Sequence, residues 1–383
     1  MDDPARPSSG PARQLLFWCM LLAVIAVVLE AVAFATGFFA ADLYDHRAGV
    51  LERVDAGLVA AAAKVDPVLG WEPVPATVRR GETCTGEGLE YTIAGDGARD
   101  YPGYRPETAT TVVVGDSYAF GDEAADPATF PAALATLTGE SVANLGVGGY
   151  GPVQAQLRLE RHLDRYPAAR VVVLGVMYEN VHRMVNSYRP VLYDKTDPLA
   201  FVPYMRDGQL RPHPGREALL TEPALRDHIE SAFDQDFWAK PRRRFPYVVS
   251  FARGLSTRYF RLRTVQRTLA KRGWPEYGMS YASPTIQQNL FGLLDRFARF
   301  AADRGLEAVV LFMPRNRYDT ESVQRLITAR GDRFPAGLRV ADVGAADVDW
   351  ARYNLENPAD GNICHPSTYG YRRIAEHLAT VLN

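Results

Sequence analysis

Ser117 has the side chain needed for nucleophilic chemistry, and it follows closely after an apolar stretch of the chain. Residues 112–114 are all valine, a β-branched run typical of a buried parallel strand, and Gly-Asp-Ser follows at 115–117. Open α/β sheets bind their ligands at the carboxyl ends of the strands. The position therefore favours a functional serine, although a small polar residue after a strand is more often only part of a turn.

A glycine-rich segment follows the next predicted strand and should lie beside Ser117. Residues 144–151 read Asn-Leu-Gly-Val-Gly-Gly-Tyr-Gly. Taken literally, Gly146, Gly148 and Gly151 form the Gly-x-Gly-x-x-Gly pattern of dinucleotide sites. That pattern should follow the first strand of its unit and precede an acidic residue by about 20 positions, and neither condition is met. The segment instead favours a backbone N–H that points at a developing oxyanion.

Two further polar residues near predicted strand and helix ends complete a candidate nucleophilic site. Asn180 follows the third predicted strand and could donate its side-chain N–H to the same oxyanion. His365 precedes the last predicted helix and could reach the Ser117 hydroxyl as the general base that a serine nucleophile needs. His182 is a second candidate base. Asp116 is adjacent to the serine, and we expect its carboxylate to tie down the loop.

Strands and helices alternate from residue 110 onwards. The predicted strands lie at 112–114, 141–145, 170–177, 307–313 and 338–343, and the predicted helices at 127–138, 152–166, 284–304, 321–330 and 367–382. Alternation at this spacing predicts a parallel sheet covered by helices on both faces and built by right-handed crossovers.

The N-terminal part of the chain is apolar. Residues 15–41 contain one charge, Glu30, and about 20 apolar residues suffice to span a bilayer. We predict an N-terminal tail at 1–14 and an uncleaved single-pass anchor at 15–41 that places the rest outside the cytoplasm. Basic residues flank the span almost evenly, so the positive-inside rule decides the orientation only weakly. A cleaved signal peptide is the alternative, because residues 33–35 resemble a small-x-small cleavage site.

Residues 42–108 are predicted to connect the anchor to the main domain at 109–383, with short strands lying over that domain. Cys84 lies here and Cys364 near the end of the chain. An oxidising compartment could join them, and two free cysteines are equally compatible with the sequence. The chain has no Cys-x-x-Cys or His-Glu-x-x-His spacing, and its formal net charge is −2. The missing ligand spacings predict no metal site. We also expect no cofactor and no nucleic-acid partner, although the net charge by itself says nothing about a partner.

An insertion at 181–283 interrupts the alternation and is far longer than an ordinary crossover. Because it leaves the sheet directly after Asn180, we expect it to form a cap over the site. Within it, residues 240–272 are basic, with aromatic and aliphatic residues interleaved. Three interpretations are open for this stretch: an amphipathic helix on anionic lipid, a groove for an anionic polymer, or a solvated helix that covers the core.

The order of these blocks resembles the SGNH (GDSL) hydrolase superfamily, from about residue 110 to residue 382 without the insertion. The Gly-Asp-Ser block is followed by Asn144 and Gly149, then by Asn180, and finally by His365. The resemblance implies a flavodoxin-like three-layer α/β sandwich with Ser117 as nucleophile and His365 as base. It also implies an oxyanion hole formed by the Ser117 N–H, the Gly149 N–H and the Asn180 side chain.

The last block departs from the family pattern, which has an aspartate three residues before the histidine. Asn362 occupies that position. Asp360 can replace the missing carboxylate and orient His365, or the site can work as a Ser–His pair. Asp347 and Asp349 are the next candidates.

The resemblance implies a serine-dependent acyl-ester hydrolase that acts on an ester of an envelope glycan or lipid. The anchor at 15–41 also resembles that of membrane-bound bacterial members, and residues 240–272 could contact an anionic surface. Two alternatives stay open. The same machinery serves O-acyl transfer, and the missing aspartate is compatible with a non-catalytic carbohydrate-binding descendant of the fold.

Overall fold

The computed structural model of the protein describes residues 10–215, 217–264 and 281–383. Within these residues the strands are β1 (Thr77–Glu82), β2 (Gly88–Ile93), β3 (Ala109–Val114), β4 (Ser141–Asn144), β5 (Val171–Met177), β6 (Tyr204–Arg206), β7 (Gln209–Arg211), β8 (Glu307–Met313), β9 (Leu338–Asp342), β10 (Asn354–Glu356) and β11 (Ile363–Pro366). The helices are α1 (Pro11–Phe39), α2 (Arg47–Leu51), α3 (Ala56–Ala62), α4 (Ser117–Phe120), α5 (Phe130–Thr138), α6 (Pro152–His162), α7 (Val181–Met184), α8 (Glu222–Gln235), α9 (Tyr247–Ser256), α10 (Pro284–Ala302), α11 (Arg317–Arg330), α12 (Trp350–Tyr353) and α13 (Thr368–Leu382).

The central sheet has five parallel strands in the order β4-β3-β5-β8-β9. Counted along the chain this order is 2-1-3-4-5, the flavodoxin-like arrangement. The chain builds β4 on one side of β3 and β5 on the other, so the direction of winding reverses at β3. Ligands of such sheets bind at the carboxyl ends of the strands beside that reversal. Ser117 follows β3 by three residues and therefore lies at this point.

Alternate residues of β3 belong to two different cores. Val112 and Val114 pack with residues of α6 and α10 on one face of the sheet. Val113 packs with residues of α5 and α13 on the other face. All three valines are fully buried, as expected for a strand with helices on both sides. The predicted three-layer α/β sandwich with a central parallel sheet is confirmed, and this is the fold that the resemblance to the SGNH hydrolases implied.

The helix predicted at 127–138 begins three residues later than expected. Residues Asp126–Ala128 form a 3₁₀ turn, and α5 starts at Phe130. The hydroxyl of Thr129 accepts the N–H of Ala132 and so caps the helix. A side-chain oxygen that accepts an N–H of the first turn stabilises the helix start at that position.

Helix α1 is long and apolar enough to cross a membrane. It has 29 residues, its most apolar 18-residue window has a mean hydropathy of 2.7, and none of that window is buried in the protein. These properties are compatible with a single-pass anchor or a signal sequence. The predicted boundaries at 14 and 41 differ slightly from those of the helix, which starts at Pro11 and ends at Phe39.

The connecting region contributes the antiparallel hairpin of β1 and β2 and is held to the main domain by Arg99. The backbone N–H of Arg99 donates to the carbonyl of Asn144, and its guanidinium donates to Asp126. The same guanidinium lies over the rings of Tyr91 and Phe120, at 4.4 and 4.7 Å from their centroids. A fully buried arginine that is satisfied in this way fixes the hairpin against the sheet.

The insertion at 181–283 contains α7, the β6–β7 hairpin, α8 and α9 in its described part. Its first elements pack beside α6 and α10, and α9 packs against α1. Residues 265–272 of the basic stretch lie outside the described residues. The cap over the site stays a prediction, although Arg183 contacts the glycine-rich segment by donating to the carbonyl of Tyr150 at 3.0 Å.

Candidate active site

Ser117 is the first residue of the short helix α4, directly after the turn that ends β3. The residue as a whole is 5% exposed. Gly115 makes this sharp turn possible, because a Cβ at that position would lie 2.6 Å from the Cβ of Ala119. Among the residues that the structure describes, none hydrogen-bonds the Ser117 hydroxyl. The hydroxyl is therefore available to a substrate or a base at the carboxyl end of the central sheet.

Asp116 caps α4 and ties the end of β3 to the end of β5. Its carboxylate accepts hydrogen bonds from the N–H of Tyr118 at 2.9 Å, the N–H of Met177 at 3.2 Å and the side-chain amide of Asn180 at 2.5 Å. Burial raises the pKa of Asp116, and these donors oppose the rise. The carboxylate is thus a fixed part of the loop, as the sequence predicted.

The glycine-rich segment lies directly against α4. A Cβ on Gly146 would come within 2.3 Å of the backbone nitrogen of Phe120, so only glycine allows this approach. Gly149 has φ +81°, a left-handed conformation that favours glycine. Trp71 packs on Gly149 and donates its indole N–H to the carbonyl of Gly148 at 3.3 Å. The segment follows β4, an edge strand, whereas a dinucleotide-binding turn follows the first strand of its unit.

Asn180 is fully buried and stands beside the serine loop. One N–H of its amide donates to Asp116, and its Oδ1 has no hydrogen-bond partner in the described part of the chain. The amide carries a second N–H. The structure therefore brings Ser117, the glycine segment and Asn180 to the same end of the sheet, and their action on an oxyanion stays a prediction.

His365 lies on β11, which packs against α4. Its ring centroid is 5.8 Å from that of Tyr118, the residue after the serine. Nδ1 lies 3.0 Å from Oε1 of Glu123, and Nε2 lies 3.7 Å from Oδ2 of Asp122. Because an ionised carboxylate only accepts, the Glu123 contact places a proton on Nδ1. The histidine is thus held in the tautomer that leaves Nε2 to act as a base when the ring is neutral.

The two neighbouring carboxylates change the charge balance at the histidine. Burial would lower the pKa of His365, but the hydrogen bond with Glu123 and the charges of Asp122 and Glu123 outweigh it and raise the pKa above its ordinary value. Burial likewise opposes ionisation of Glu123, and the His365 contact overcomes it, so the pKa of Glu123 is lowered. Glu123 therefore stays ionised beside the imidazole at neutral pH.

Asp360 does not take the orienting position that the sequence prediction gave it. It is exposed, and its carboxylate accepts the backbone N–H of Asn362 at 3.0 Å and the side-chain amide of Asn362 at 2.6 Å. These bonds close a local turn at Gly361, which has φ +67°. The carboxylate is used within its own turn, and Glu123 makes the contact with His365 instead.

Glu123 lies 242 residues before His365 in the sequence, so no local spacing connects it with the histidine. The residue lies just after α4, where Gly121 with φ +86° ends the helix and the N–H of Asp122 donates to the Ser117 carbonyl at 2.9 Å. Glu123 itself has φ +65°, which non-glycine residues adopt rarely and which is frequent at functional sites. The adjacent acids at 122 and 123, so close after the serine, were the available signal in the sequence.

The other acidic and basic candidates have structural contacts. His182 is buried with its ring 4.9 Å from that of Trp238. Asp349 caps α12 by accepting the N–H of Ala351. Arg315, which follows β8, was not singled out from the sequence; it donates to the carbonyl of Ile363 at 2.6 Å and to Glu179 at 3.3 Å. Arg315 thereby holds the strand that carries the histidine.

Cys84 and Cys364 form a disulfide, with their Cα atoms 6.6 Å apart. The bond joins the turn of the β1–β2 hairpin to the residue before His365. The backbone N–H of Cys84 also donates to Oε2 of Glu123 at 3.3 Å. The two sulfur atoms and the Glu123 carboxylate lie within 4.8 Å of one another, but sulfurs joined in a disulfide are not thiolate ligands for a metal. The hairpin therefore supports both members of the His365–Glu123 pair.

No protein-family model matches the chain, and no curated protein sequence matches it. A search of solved structures finds a protein described as lipolytic and of the G-D-S-L family, from Desulfitobacterium hafniense DCB-2. The two chains are 13% identical, and the alignment covers 71% of this chain and 99% of the other with a TM-score of 0.34.

Proposed function

We propose that this chain is a serine-dependent acyl-ester hydrolase of the SGNH type, with Ser117 as nucleophile, His365 as base and Glu123 as the residue that orients the base. The observation that carries the proposal is the 3.0 Å contact between Nδ1 of His365 and Glu123, on a strand that packs against the helix of Ser117. A carboxylate on one imidazole nitrogen leaves the other free to take the serine proton, and this constellation recurs on unrelated folds.

The reaction proceeds in two acyl-transfer steps. The Ser117 oxygen bonds to the acyl carbon of the ester while its proton passes to Nε2 of His365. The negative charge that develops on the carbonyl oxygen is stabilised by the N–H groups of Ser117 and Gly149 and by the free amide N–H of Asn180. The alcohol then leaves with the proton from His365, and water attacks the acyl-enzyme by the same route to release the acid.

The substrate we propose is an ester carried by an envelope glycan or lipid. The apolar helix α1 supports this class, because it would hold the enzyme at a membrane. O-acyl transfer differs only in the second step, where a sugar hydroxyl replaces water. The alternative of a non-catalytic carbohydrate-binding role rests on the absence of an aspartate at position 362, where the chain has Asn362. Because Glu123 supplies a carboxylate to His365, the absence of that aspartate no longer favours this role.

Labelling with a fluorophosphonate tests the nucleophile. The purified full chain should react with one equivalent of the reagent, should carry the adduct on Ser117, and should hydrolyse a chromogenic short-chain ester. Both properties should be lost in Ser117→Ala. The matched control is Ser141→Ala, a serine at the start of β4 whose hydroxyl donates to Arg105. Labelling that persists in Ser117→Ala would exclude this serine.

We also propose that α1 is an uncleaved anchor with the catalytic domain outside the cytoplasm. The Cys84–Cys364 disulfide supports export, because structural disulfides form in oxidising compartments. A reporter that is active only after export, fused to the C-terminus, should be active, and the full chain should fractionate with membranes at its uncleaved mass. An inactive reporter on a well-expressed fusion contradicts the orientation, and an N-terminus that begins near residue 36 contradicts the anchor.

A further inference from the structure

The only charge in the apolar stretch from residue 15 to the end of α1 is bound by helix α9. The carboxylate of Glu30 accepts the backbone N–H of Tyr247 at 2.6 Å and that of Val248 at 3.4 Å. These N–H groups belong to the first turn of α9, where a helix has unpaired donors and favours negative charge. A charge within a membrane span is expensive unless it is paired. The contact therefore couples α9 to the part of α1 that would lie in the bilayer.

Arg243 adds a second attachment one turn further along α1. Its guanidinium donates to the carbonyl of Phe34 at 2.7 Å and lies over the rings of Phe34 and Phe38, at 4.7 and 4.1 Å from their centroids. Gly37 permits this approach, because a Cβ there would lie 2.7 Å from Nε of the arginine. Residues 241–256, here called the docked segment, are thus held against α1 at contacts from residue 30 to residue 38.

The position of these contacts along α1 gives the depth of the segment. Glu30 lies nine residues before Phe39, where α1 ends. At a rise of about 1.5 Å per residue this is about 14 Å. The apolar core of a bilayer is about 30 Å thick, with headgroup regions on either side. When α1 spans the membrane with its C-terminal end at the headgroups, the docked segment therefore extends from the acyl chains beside Glu30 to the headgroup level beside Leu43, which Gly254 of α9 contacts.

The outer surface of the docked segment has the composition that suits this depth. Phe245 is 71% exposed and Val249 is 44% exposed. Arg244 and Arg253 are exposed beside them, and in the part of the chain that the structure describes neither has an acid within ion-pair distance. The four side chains border one cleft of about 630 Å³. Asp234, also at this cleft, is paired with Arg47.

We propose that residues 241–256 form an interfacial membrane element that α1 holds in place, with Phe245 and Val249 among the acyl chains and Arg244 and Arg253 on the phosphates of anionic lipids. Apolar side chains flanked by cations are the recognition chemistry of an anionic bilayer surface. The anchor and this element together make a two-point attachment, which fixes the catalytic domain against the membrane. The inference uses the proposed anchoring of α1 and is independent of the proposed esterase activity.

Quenching of an introduced tryptophan tests the insertion. The full chain is reconstituted into nanodiscs whose lipids carry bromine on their acyl chains, and the quenching in the wild type is subtracted from that of each variant. Phe245→Trp should show strong additional quenching. Val78→Trp is the matched control, because Val78 is 56% exposed on strand β1. Equal quenching of the two introduced tryptophans overturns the proposal, as does failure of the chain to incorporate into nanodiscs.

Lipid charge tests the role of the arginines. In the Phe245→Trp background, the additional quenching should be larger in nanodiscs with phosphatidylglycerol than in pure phosphatidylcholine. The double change Arg244→Gln and Arg253→Gln should remove that difference. Arg79→Gln with Arg105→Gln, two exposed arginines of the connecting region, should preserve it. A difference that survives loss of Arg244 and Arg253, or no dependence on lipid charge at all, contradicts the assignment to anionic lipid.

Discussion

Glu123→Gln is expected to lower kcat for ester hydrolysis by about a thousandfold. Glutamine keeps the size of the side chain but cannot hold a proton on Nδ1 of His365 by charge, and it stabilises the imidazolium only weakly. Loss of the orienting carboxylate costs roughly ten-thousandfold in the serine-protease template. We expect a smaller loss because Asp122, 3.7 Å from Nε2, still favours the imidazolium. Steady-state rates on one soluble ester measure the effect.

The matched control is Asp360→Asn, which should keep kcat within about twofold of the wild type. Within the described residues its carboxylate bonds only to Asn362 in its own turn, and exposed changes of this kind rarely alter a distant site. If Asp360→Asn causes the larger loss, Asp360 orients His365 during catalysis and the contact with Glu123 is not the productive one.

The pH profile separates a positioning role of Glu123 from a purely structural one. His365 must be neutral to accept the serine proton, so kcat/KM should rise with pH through the pKa of His365. Glu123 and Asp122 raise that pKa, and the acidic limb of the wild type should therefore lie above the ordinary value of 6.5. Removing the charge in Glu123→Gln removes part of the rise, so the limb should move to lower pH. A limb that does not move contradicts a charge contact between the two residues.

The comparison of Asp360 with Glu123 shows how far a sequence can define such a site. Ser117, the glycine-rich segment and Asn180 follow the ends of β3, β4 and β5, and the parallel sheet brings such positions together at one edge. His365 lies on the separate β10–β11 hairpin, shortly before the start of α13. The orienting acid has no such constraint, because any loop that passes the imidazole can supply it. The acid comes from the turn after α4, where φ +65° at Glu123 aims the side chain. A conformation of this kind cannot be read from residue types.

The same distinction applies to the rest of the fold. The β-branched runs of β3, β5 and β8 predicted the parallel sheet, because a strand covered on both faces must be apolar throughout. The sequence predicts bounds for the insertion but not its arrangement, because that arrangement depends on single contacts such as Arg243 on Phe34 and Glu30 on the first turn of α9. The pairing of Cys84 with Cys364 could only be named as an alternative, because 280 residues separate them.

The disulfide is expected to contribute to both stability and turnover. Chain-entropy arguments give about 5.6 kcal/mol for a cross-link over a separation of 280 residues, and removal of a native disulfide typically costs about 2–5 kcal/mol. The double change Cys84→Ala and Cys364→Ala should therefore lower the thermal midpoint of the main domain by several degrees or more. Cys19→Ala removes the free, exposed cysteine of α1 and is the control, with no expected change.

Turnover should fall in the double variant even well below its unfolding temperature. The disulfide holds the residue next to His365, and the N–H of Cys84 donates to Glu123. When the hairpin is released, both partners of the His365–Glu123 pair lose a constraint, and small misplacements of catalytic groups are costly in rate. We expect kcat to decrease by about tenfold or more and the acidic limb of kcat/KM to shift in the same direction as in Glu123→Gln. A double variant that melts earlier but keeps the wild-type kcat and pH profile would restrict the disulfide to stability, and the Glu123 contact would then be held by the turn after α4 alone.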